Sequence, residues 1–197
     1  STPFRRVCAV YFSPTGSTAK VANFLADCFA KKAGVAIEQF SYTLPSGRQK
    51  PLHFGKDDLV VLGSPVYAGR TPNRMLPFME SITGEDTPVV LLAMYGNRSY
   101  GDALTELRNV AEANGFIPIA AAAMIGSHPM SRTRLSRQRH AHSAAFCVSE
   151  SPPGRSISSF INIIPQCSSH AIPHHPRSML KYHDHESPIC CTSLLWI

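Results

Sequence analysis

Ser13, Thr15, Ser17 and Thr18 place four hydroxyl groups within six residues, with Gly16 among them. Hydroxyl groups donate hydrogen bonds, and glycine lets the backbone approach a ligand closely. A predicted helix follows, and the first N–H groups of a helix lack partners within it and carry partial positive charge. Such a place suits a phosphate group. The same hydroxyl groups could also form an ordinary helix cap, so both interpretations stay open at this point.

The segment differs from the common nucleotide-binding loops in what it lacks. Residues 13–18 contain no lysine and no arginine. The chain has neither the G-x-x-x-x-G-K-[ST] pattern of triphosphate-binding loops nor the G-x-G-x-x-G pattern of dinucleotide-binding folds. A neutral loop suits a single terminal phosphate monoester better than a polyphosphate with magnesium.

Two further polar turns follow apolar runs. Residues 64–70 contain Tyr67, whose flat ring can stack on a planar ligand, and then Ala68 and Gly69, which leave the backbone exposed. Residues 95–102 combine two tyrosines with an asparagine and an arginine. Either loop alone would be explained by ordinary turn chemistry. Three such loops at one edge of a sheet favour a ligand site.

Apolar runs and helical periodicity alternate along the first two thirds of the chain. Strands are predicted at residues 7–12, 35–42, 59–64, 88–95 and 116–125, and helices at 19–32, 72–82 and 100–114. The run at 7–12 has no charge, which is typical of a strand buried on both faces. Residues 43–55 contain two prolines and two glycines and predict a loop.

This alternation with short connections predicts a doubly wound α/β fold with a five-stranded parallel sheet. The strand order 2-1-3-4-5 is the natural expectation for five strands. Its ligand crevice lies at the carboxyl ends of strands 1 and 3, which is where the turns at 13–18 and 64–70 begin.

Three motifs resemble one known family. Residues 11–18, Tyr-Phe-Ser-Pro-Thr-Gly-Ser-Thr, resemble the FMN phosphate loop of flavodoxins. Residues 63–70 and 95–104 resemble the flavodoxin-like domain of anaerobe proteins that join flavodoxin to a ferredoxin module. The resemblance extends over residues 5–126. Beyond it the cysteines lack the repeated C-x-x-C-x-x-C-x-x-x-C spacing of two-cluster ferredoxins, so no iron–sulfur centre is predicted.

The resemblance implies a bound FMN and assigns its contacts. The residues expected to hold the phosphate are Ser13, Thr15, Gly16, Ser17 and Thr18. Those expected to flank the isoalloxazine are Pro65, Val66, Tyr67, Ala68, Gly69, Tyr95, Gly96, Asn97, Arg98 and Tyr100. Tyr67 is the expected stacking ring.

The implied function is electron transfer with a redox partner protein, either of the ferredoxin type or a reductase. No acid–base pair or activated nucleophile stands out, so no catalytic residue is predicted. Two alternatives remain: an FMN-dependent oxidoreductase that takes hydride from NAD(P)H, and a flavin-free scaffold that binds a partner.

Residues 127–197 form a second, atypical segment rich in Ser, His, Pro and Arg, which we expect to be irregular and separate from a domain at 1–126. Cys167, His170 and the later histidines suggest zinc, but their spacing fits no common ligand pattern, so no metal is predicted. The abrupt change in composition supports two hypotheses: a loosely ordered tail, or a reading-frame shift of a normal C-terminus.

Composition limits the remaining classes. Residues 127–197 hold seven Lys or Arg against three Asp or Glu and so supply most of the net charge of +6, which gives little support for a nucleic-acid partner. No apolar run is long enough to cross a membrane, and the first residues do not have a signal-peptide pattern. We therefore expect a cytoplasmic protein whose six cysteines stay reduced.

Overall fold

The structure, a computed structural model, describes residues 4–96, 99–126 and 144–148. The strands are β1 (Arg6–Tyr11), β2 (Ala36–Ser41), β3 (His53–Phe54), β4 (Asp58–Pro65), β5 (Thr83–Gly84), β6 (Thr87–Tyr95), β7 (Phe116–Ile125) and β8 (Ala144–Val148). The α-helices are α1 (Ser17–Ala33), α2 (Leu76–Met79) and α3 (Ala103–Ala113), and 3₁₀ turns cover Pro45–Arg48 and Asn73–Met75.

Five parallel strands form the main sheet in the order β2-β1-β4-β6-β7. β1, β2, β4, β6 and β7 correspond to the five predicted strands, and their order in the sheet is the predicted 2-1-3-4-5. The predicted flavodoxin-like α/β fold is therefore confirmed. β8 pairs antiparallel with β7 and adds a sixth strand at that edge. β8 was not predicted and lies in the segment, residues 127–197, that was expected to be irregular. β3 and β5 pair in a separate two-stranded sheet.

The sheet has a hydrophobic core on each face. Successive residues of a strand point to opposite faces, and in β1 Val7 and Ala9 pack in the core that contains α1, whereas Cys8 and Val10 pack in the core that contains α2 and α3. All four are fully buried. Burial of a large apolar side chain contributes about 1.5–3 kcal/mol, so this two-sided packing fixes β1 and the turn that follows it.

The predicted helix at 72–82 is wrong in its extent. The segment forms the 3₁₀ turn Asn73–Met75 and then the single-turn helix α2, Leu76–Met79. Pro77 explains the break, because it has no N–H for the carbonyl of Asn73 and its ring clashes with that carbonyl in a continuous α-helix.

The predicted loop at 43–55 contains two short regular pieces, the 3₁₀ turn Pro45–Arg48 and strand β3. Arg48 holds the turn in place: its Nε donates to the carbonyl of Tyr42 at 2.7 Å, and its Nη2 donates to the carbonyl of Thr43 at 2.6 Å. The loop is therefore anchored at the carboxyl end of β2.

A charged network lies at the opposite, amino-terminal edge of the sheet. Asp58, 1 % exposed at its side chain, accepts hydrogen bonds from Arg6 Nε and Nη2, each at 3.0 Å, and from Arg5 Nη2 at 3.1 Å. The Gly55 N–H also donates to this carboxylate at 3.1 Å. Arg6 reaches Glu38 as well, at 2.8 Å. The network joins β1, β2 and β4, far along the strands from the predicted site.

Among the residues that the structure describes, no helix combines the length and the apolar character needed to cross a membrane.

Candidate functional site

Gly16 and Ser13 shape the turn between β1 and α1. Gly16 precedes the helix with φ 82° and ψ −11°, a left-handed conformation that strains residues with a Cβ. The Oγ of Ser13 accepts the N–H of Ala19 at 2.9 Å, while the N–H of Ser13 donates to Thr43 Oγ1 at 2.9 Å. The helix-cap interpretation therefore accounts for the oxygen of Ser13, and its hydroxyl proton is still available to a ligand.

Three backbone N–H groups of this turn, those of Thr15, Ser17 and Thr18, have no acceptor within the described residues. The first hydrogen bond of α1 runs from Lys20 N–H to the carbonyl of Gly16 at 3.1 Å. No acidic side chain lies in the first turn of this 17-residue helix. Unpaired donors and the positive end of the helix dipole together provide a place for an anion.

The turn after β4 is a tight one. The N–H of Tyr67 donates to the carbonyl of Arg70 at 2.9 Å, and the N–H of Arg70 donates to the carbonyl of Tyr67 at 3.1 Å. The two central residues, Ala68 and Gly69, have φ values of 53° and 79°, as in a type I′ turn. Ala68 is strained there by about 1–2 kcal/mol. The turn presents Tyr67, of which 47 % is exposed.

The loop after β6 is locked to that turn by a close backbone contact. Gly101 has φ 49°, and a Cβ placed on it would lie 2.5 Å from the carbonyl oxygen of Gly69. The same oxygen accepts the N–H of Asp102 at 2.8 Å. The rings of Tyr95 and Tyr100 meet edge to face, with centroids 5.6 Å apart. A backbone hydrogen bond and a close backbone contact thus join the two loops.

A cleft of about 280 Å³ opens between these loops at the carboxyl ends of the strands, and we call it the flavin cleft after the ligand that the sequence resemblance implies. The predicted site residues that line it are Thr15, Ser17, Thr18, Pro65, Val66, Tyr67, Tyr95 and Gly96. The predicted residues absent from its lining are Ser13, Gly16, Ala68, Gly69 and Tyr100. Ser13 and Gly16 shape the start of α1, Ala68 and Gly69 form the turn after β4, and Tyr100 packs against Tyr95. The predictions for Asn97 and Arg98 lie outside the described residues.

Three lining residues were not predicted: Pro14, Met94 and Gly126. Gly126 follows β7 and donates its N–H to the carbonyl of Tyr95 at 2.8 Å. A Cβ on Gly126 would lie 3.1 Å from Met94 Cε and 3.4 Å from Ser17 Cβ. A glycine at the carboxyl end of the last parallel strand is the sequence signal that points to this close approach.

Thr18 lines the cleft and also packs α1 against the sheet. It is 2 % exposed, and its Cγ2 lies 3.0 Å from the position that a Cβ on Gly63 would take. The methyl group therefore packs on the glycine of β4, which lets α1 approach the sheet closely.

The flavin cleft is electrically neutral over its described lining, which has no carboxylate, lysine or arginine. Partial burial raises the pKa of Tyr67 above its ordinary value, so the phenol stays protonated near neutral pH. The cleft therefore offers hydrogen-bond donors and aromatic surface without repelling an anion.

The described lining of the cleft contains no cysteine, and no metal cluster lies among the described residues. Burial raises the pKa of Cys8 to about 12, which makes this thiol a packing residue. No three His, Cys, Asp or Glu side chains gather as metal ligands in the described ranges. The cysteines and histidines considered for zinc, at 167–190, lie outside them.

Comparisons with known proteins give structural likenesses only. The sequence matches no family model and no curated protein. A flavodoxin from the domain Archaea is 14 % identical, with 62 % of this chain and 84 % of that chain covered and a TM-score of 0.47. The Streptococcus pneumonia TIGR4 flavodoxin is 15 % identical, with 61 % and 83 % covered and a TM-score of 0.45.

Megasphaera elsdenii flavodoxin in its two-electron reduced form is 21 % identical, with 62 % of this chain and 88 % of that chain covered and a TM-score of 0.43. Flavodoxins and flavoproteins are thus among the solved structures that this chain is similar to. Because these TM-scores are below 0.5, the description of the fold rests on its own strand order.

Proposed function

We propose that this chain binds FMN in the flavin cleft and transfers electrons to and from a redox partner protein. The observation that supports it most is the set of unpaired N–H groups of Thr15, Ser17 and Thr18, at the positive end of α1 and beside two tyrosine rings. A phosphate monoester with a planar aromatic ring matches that combination of donors and flat apolar surface.

In this proposal the turn at 13–18 holds the phosphate through backbone N–H groups and hydroxyl groups. Tyr67 and Tyr95 lie on the walls where the isoalloxazine would pack. The bound flavin supplies the electron chemistry, and the protein tunes its potential through stacking and hydrogen bonds. The phosphate is held by neutral donors, so FMN affinity should change little with ionic strength.

Electron transfer with a ferredoxin-type protein or a reductase is the proposed role, in the cytoplasm, with residues 1–126 as the flavin-binding unit. The alternative is an FMN-dependent oxidoreductase that accepts hydride from NAD(P)H. Mixing the FMN-loaded protein with NADPH separates the two. Steady oxidation of NADPH without a partner protein supports the oxidoreductase. No oxidation of NADPH, together with reduction of the bound FMN by a reductase, supports the electron carrier.

The first experiment is an absorption spectrum of the purified full chain after incubation with FMN and desalting. We expect flavin bands to remain with the protein in about one equivalent, the stoichiometry of a single pocket. A protein that folds, as its circular dichroism melt shows, yet retains no flavin would contradict the proposal and favour the scaffold alternative.

Replacing Thr15 by alanine should weaken FMN binding by roughly tenfold, the scale of one hydrogen bond to a charged group. Thr15 is exposed beside the cleft, so the fold should be unchanged. The measurement is the dissociation constant from flavin fluorescence quenching. Thr105→Ala is the matched control, since Thr105 is an exposed threonine on α3. Equal FMN dissociation constants for the two variants would show that the side chain of Thr15 does not contact the phosphate.

A further inference from the structure

A second, larger groove borders the flavin cleft. It has a volume of about 800 Å³ and runs between the 3₁₀ turn Pro45–Arg48 and the 3₁₀ turn Asn73–Met75. Among the described residues that line it, three are arginines, Arg48, Arg70 and Arg74, and none is acidic; we call it the arginine groove. Pro14 and Tyr67 line both cavities, so a ligand in one lies beside a ligand in the other.

Arg48 lines this groove, and no carboxylate among the described residues pairs with its charge. Its Nε and Nη2 donate to two backbone carbonyls, those of Tyr42 and Thr43, and not to a carboxylate. These bonds hold the guanidinium in place, and Nη1 and the second Nη2 proton remain available as donors. The neighbouring Gly47 leaves no room for a side chain, because a Cβ on it would lie 2.0 Å from the carbonyl oxygen of Ser41. The structure therefore presents a fixed, half-buried cation.

The other two arginines differ in their neighbours. Arg70 is paired with Glu106, which also accepts the N–H and the hydroxyl of Thr71, at 2.8 and 2.7 Å. Burial acts to raise the pKa of Glu106, but the hydrogen bonds from Thr71 and Arg70 outweigh it and hold that pKa below its ordinary value. Glu106 thus stays ionised and neutralises Arg70. Arg74 is exposed and has no ion-pair partner within the described residues.

Within the described part of the chain, the guanidinium groups of Arg48 and Arg74 therefore have no counter-charge, and they lie above an apolar floor that includes Phe12 and Met75. Guanidinium groups match phosphate oxygens in geometry as well as in charge. The volume falls within the range of about 300–1,000 Å³ that small-molecule sites occupy. Two cations over an apolar surface fit a ligand that joins two phosphates to an aromatic base.

We infer that the arginine groove binds the diphosphate of a nucleotide, with Arg48 and Arg74 on the phosphates. This site is separate from the proposed FMN site and differs from it electrically, since one depends on cations and the other on neutral donors. Its occupant would lie against Tyr67, at the edge of the flavin cleft. The inference does not require that FMN binds, so the two can fail independently.

Isothermal titration of the full chain, without and with saturating FMN, tests this site, with ADP as the probe. We expect ADP to bind in both states, adenosine to bind at least tenfold more weakly, and ADP affinity to fall steeply between low and high salt. Displacement of ADP by FMN would place ADP in the flavin cleft and overturn the inference. Equal binding of ADP and adenosine would overturn it too.

Substitutions locate the site. Arg74→Gln should weaken ADP binding by about tenfold, the scale of one charge-assisted hydrogen bond, and Thr15→Ala should leave it unchanged. Arg108→Gln is the matched control, because it removes the same charge from α3, where Arg108 pairs with Glu112. A loss with Arg108→Gln as large as that with Arg74→Gln would mean general charge attraction and would overturn the site.

Inorganic pyrophosphate distinguishes a nucleotide from a free anion. We expect it to bind about tenfold more weakly than ADP, because it makes no contact with the apolar floor or with Tyr67. Pyrophosphate that binds as tightly as ADP would show a simple anion site and overturn the nucleotide assignment.

Discussion

Replacing Asp58 by asparagine should lower the free energy of unfolding by about 2–3 kcal/mol. The carboxylate is buried and accepts five hydrogen bonds from Arg5, Arg6 and Gly55 at 3.0–3.4 Å. An asparagine of the same shape would leave Arg6 without its main counter-charge. Removing one member of a fully buried pair costs roughly 3–5 kcal/mol, and the expected loss is smaller because 69 % of the Arg5 side chain is exposed. Urea unfolding measures it.

Glu38→Gln is the matched control for this variant. Glu38 contacts the same guanidinium, of Arg6, at 2.8 Å, but 43 % of its side chain is exposed. Solvent screens such a pair, so the loss should stay below about 1 kcal/mol. If the two variants lost the same stability, the burial of Asp58 would have no special effect and the explanation would be wrong.

The same carboxylate predicts how stability depends on pH. Burial acts to raise the pKa of Asp58, but the hydrogen bonds from Arg6, from the Gly55 N–H and from Arg5 outweigh it and hold that pKa below its ordinary value. The folded protein therefore binds this proton less readily than the unfolded chain. The stabilisation is present above the unfolded value of about 3.9 and is lost as pH falls through the lowered one. Unfolding curves from pH 6 to 2 should show a steeper acid loss for the natural chain than for Asp58→Asn, and parallel curves would contradict this.

The strand order could be predicted because each central strand has a simple signature. Residues 7–12, 59–64 and 88–95 have no charge, and in the structure they are buried on both sides by α1 on one face and by α2 and α3 on the other. An uncharged and mainly apolar run is typical of the middle of a covered parallel sheet. The turns at the carboxyl ends then follow from topology, and they are where the candidate site lies.

What could not be predicted depends on contacts between distant residues. β3 and β5 have two residues each, too few for any periodicity, and they form only because they pair with each other. In the sequence, Arg48 is one cation in a polar loop. In the structure, hydrogen bonds to two backbone carbonyls hold its guanidinium in the lining of the arginine groove. Likewise, no pattern shows that Gly69 and Gly101, 32 positions apart, meet backbone to backbone.

The contact between Gly69 and Gly101 gives the largest expected effect on ligand affinity in the flavin cleft. Gly101→Ala would place a Cβ 2.5 Å from the carbonyl oxygen and 2.8 Å from the Cα of Gly69, at a φ of 49°. Both neighbours are backbone atoms, so the clash can be relieved only by separating the loop after β6 from the turn after β4. Tyr67 and Tyr95, on the facing walls, would move apart. We expect FMN binding to weaken by at least about tenfold, or about 1.4 kcal/mol, measured by fluorescence titration.

Gly34→Ala separates this loop movement from backbone strain. Gly34 caps α1 with φ 67°, also left-handed, but a Cβ there would meet no atom within 4 Å. Both variants should lose about 1 kcal/mol of stability from the forced conformation, and only Gly101→Ala should lose FMN affinity. Equal FMN affinity in the two variants would mean that the contact between Gly69 and Gly101 does not set the width of the cleft. A loss of FMN affinity in Gly101→Ala alone would show that the contact between the two loops sets the width of the cleft. A residue outside the cleft lining would then control how tightly the isoalloxazine ring binds.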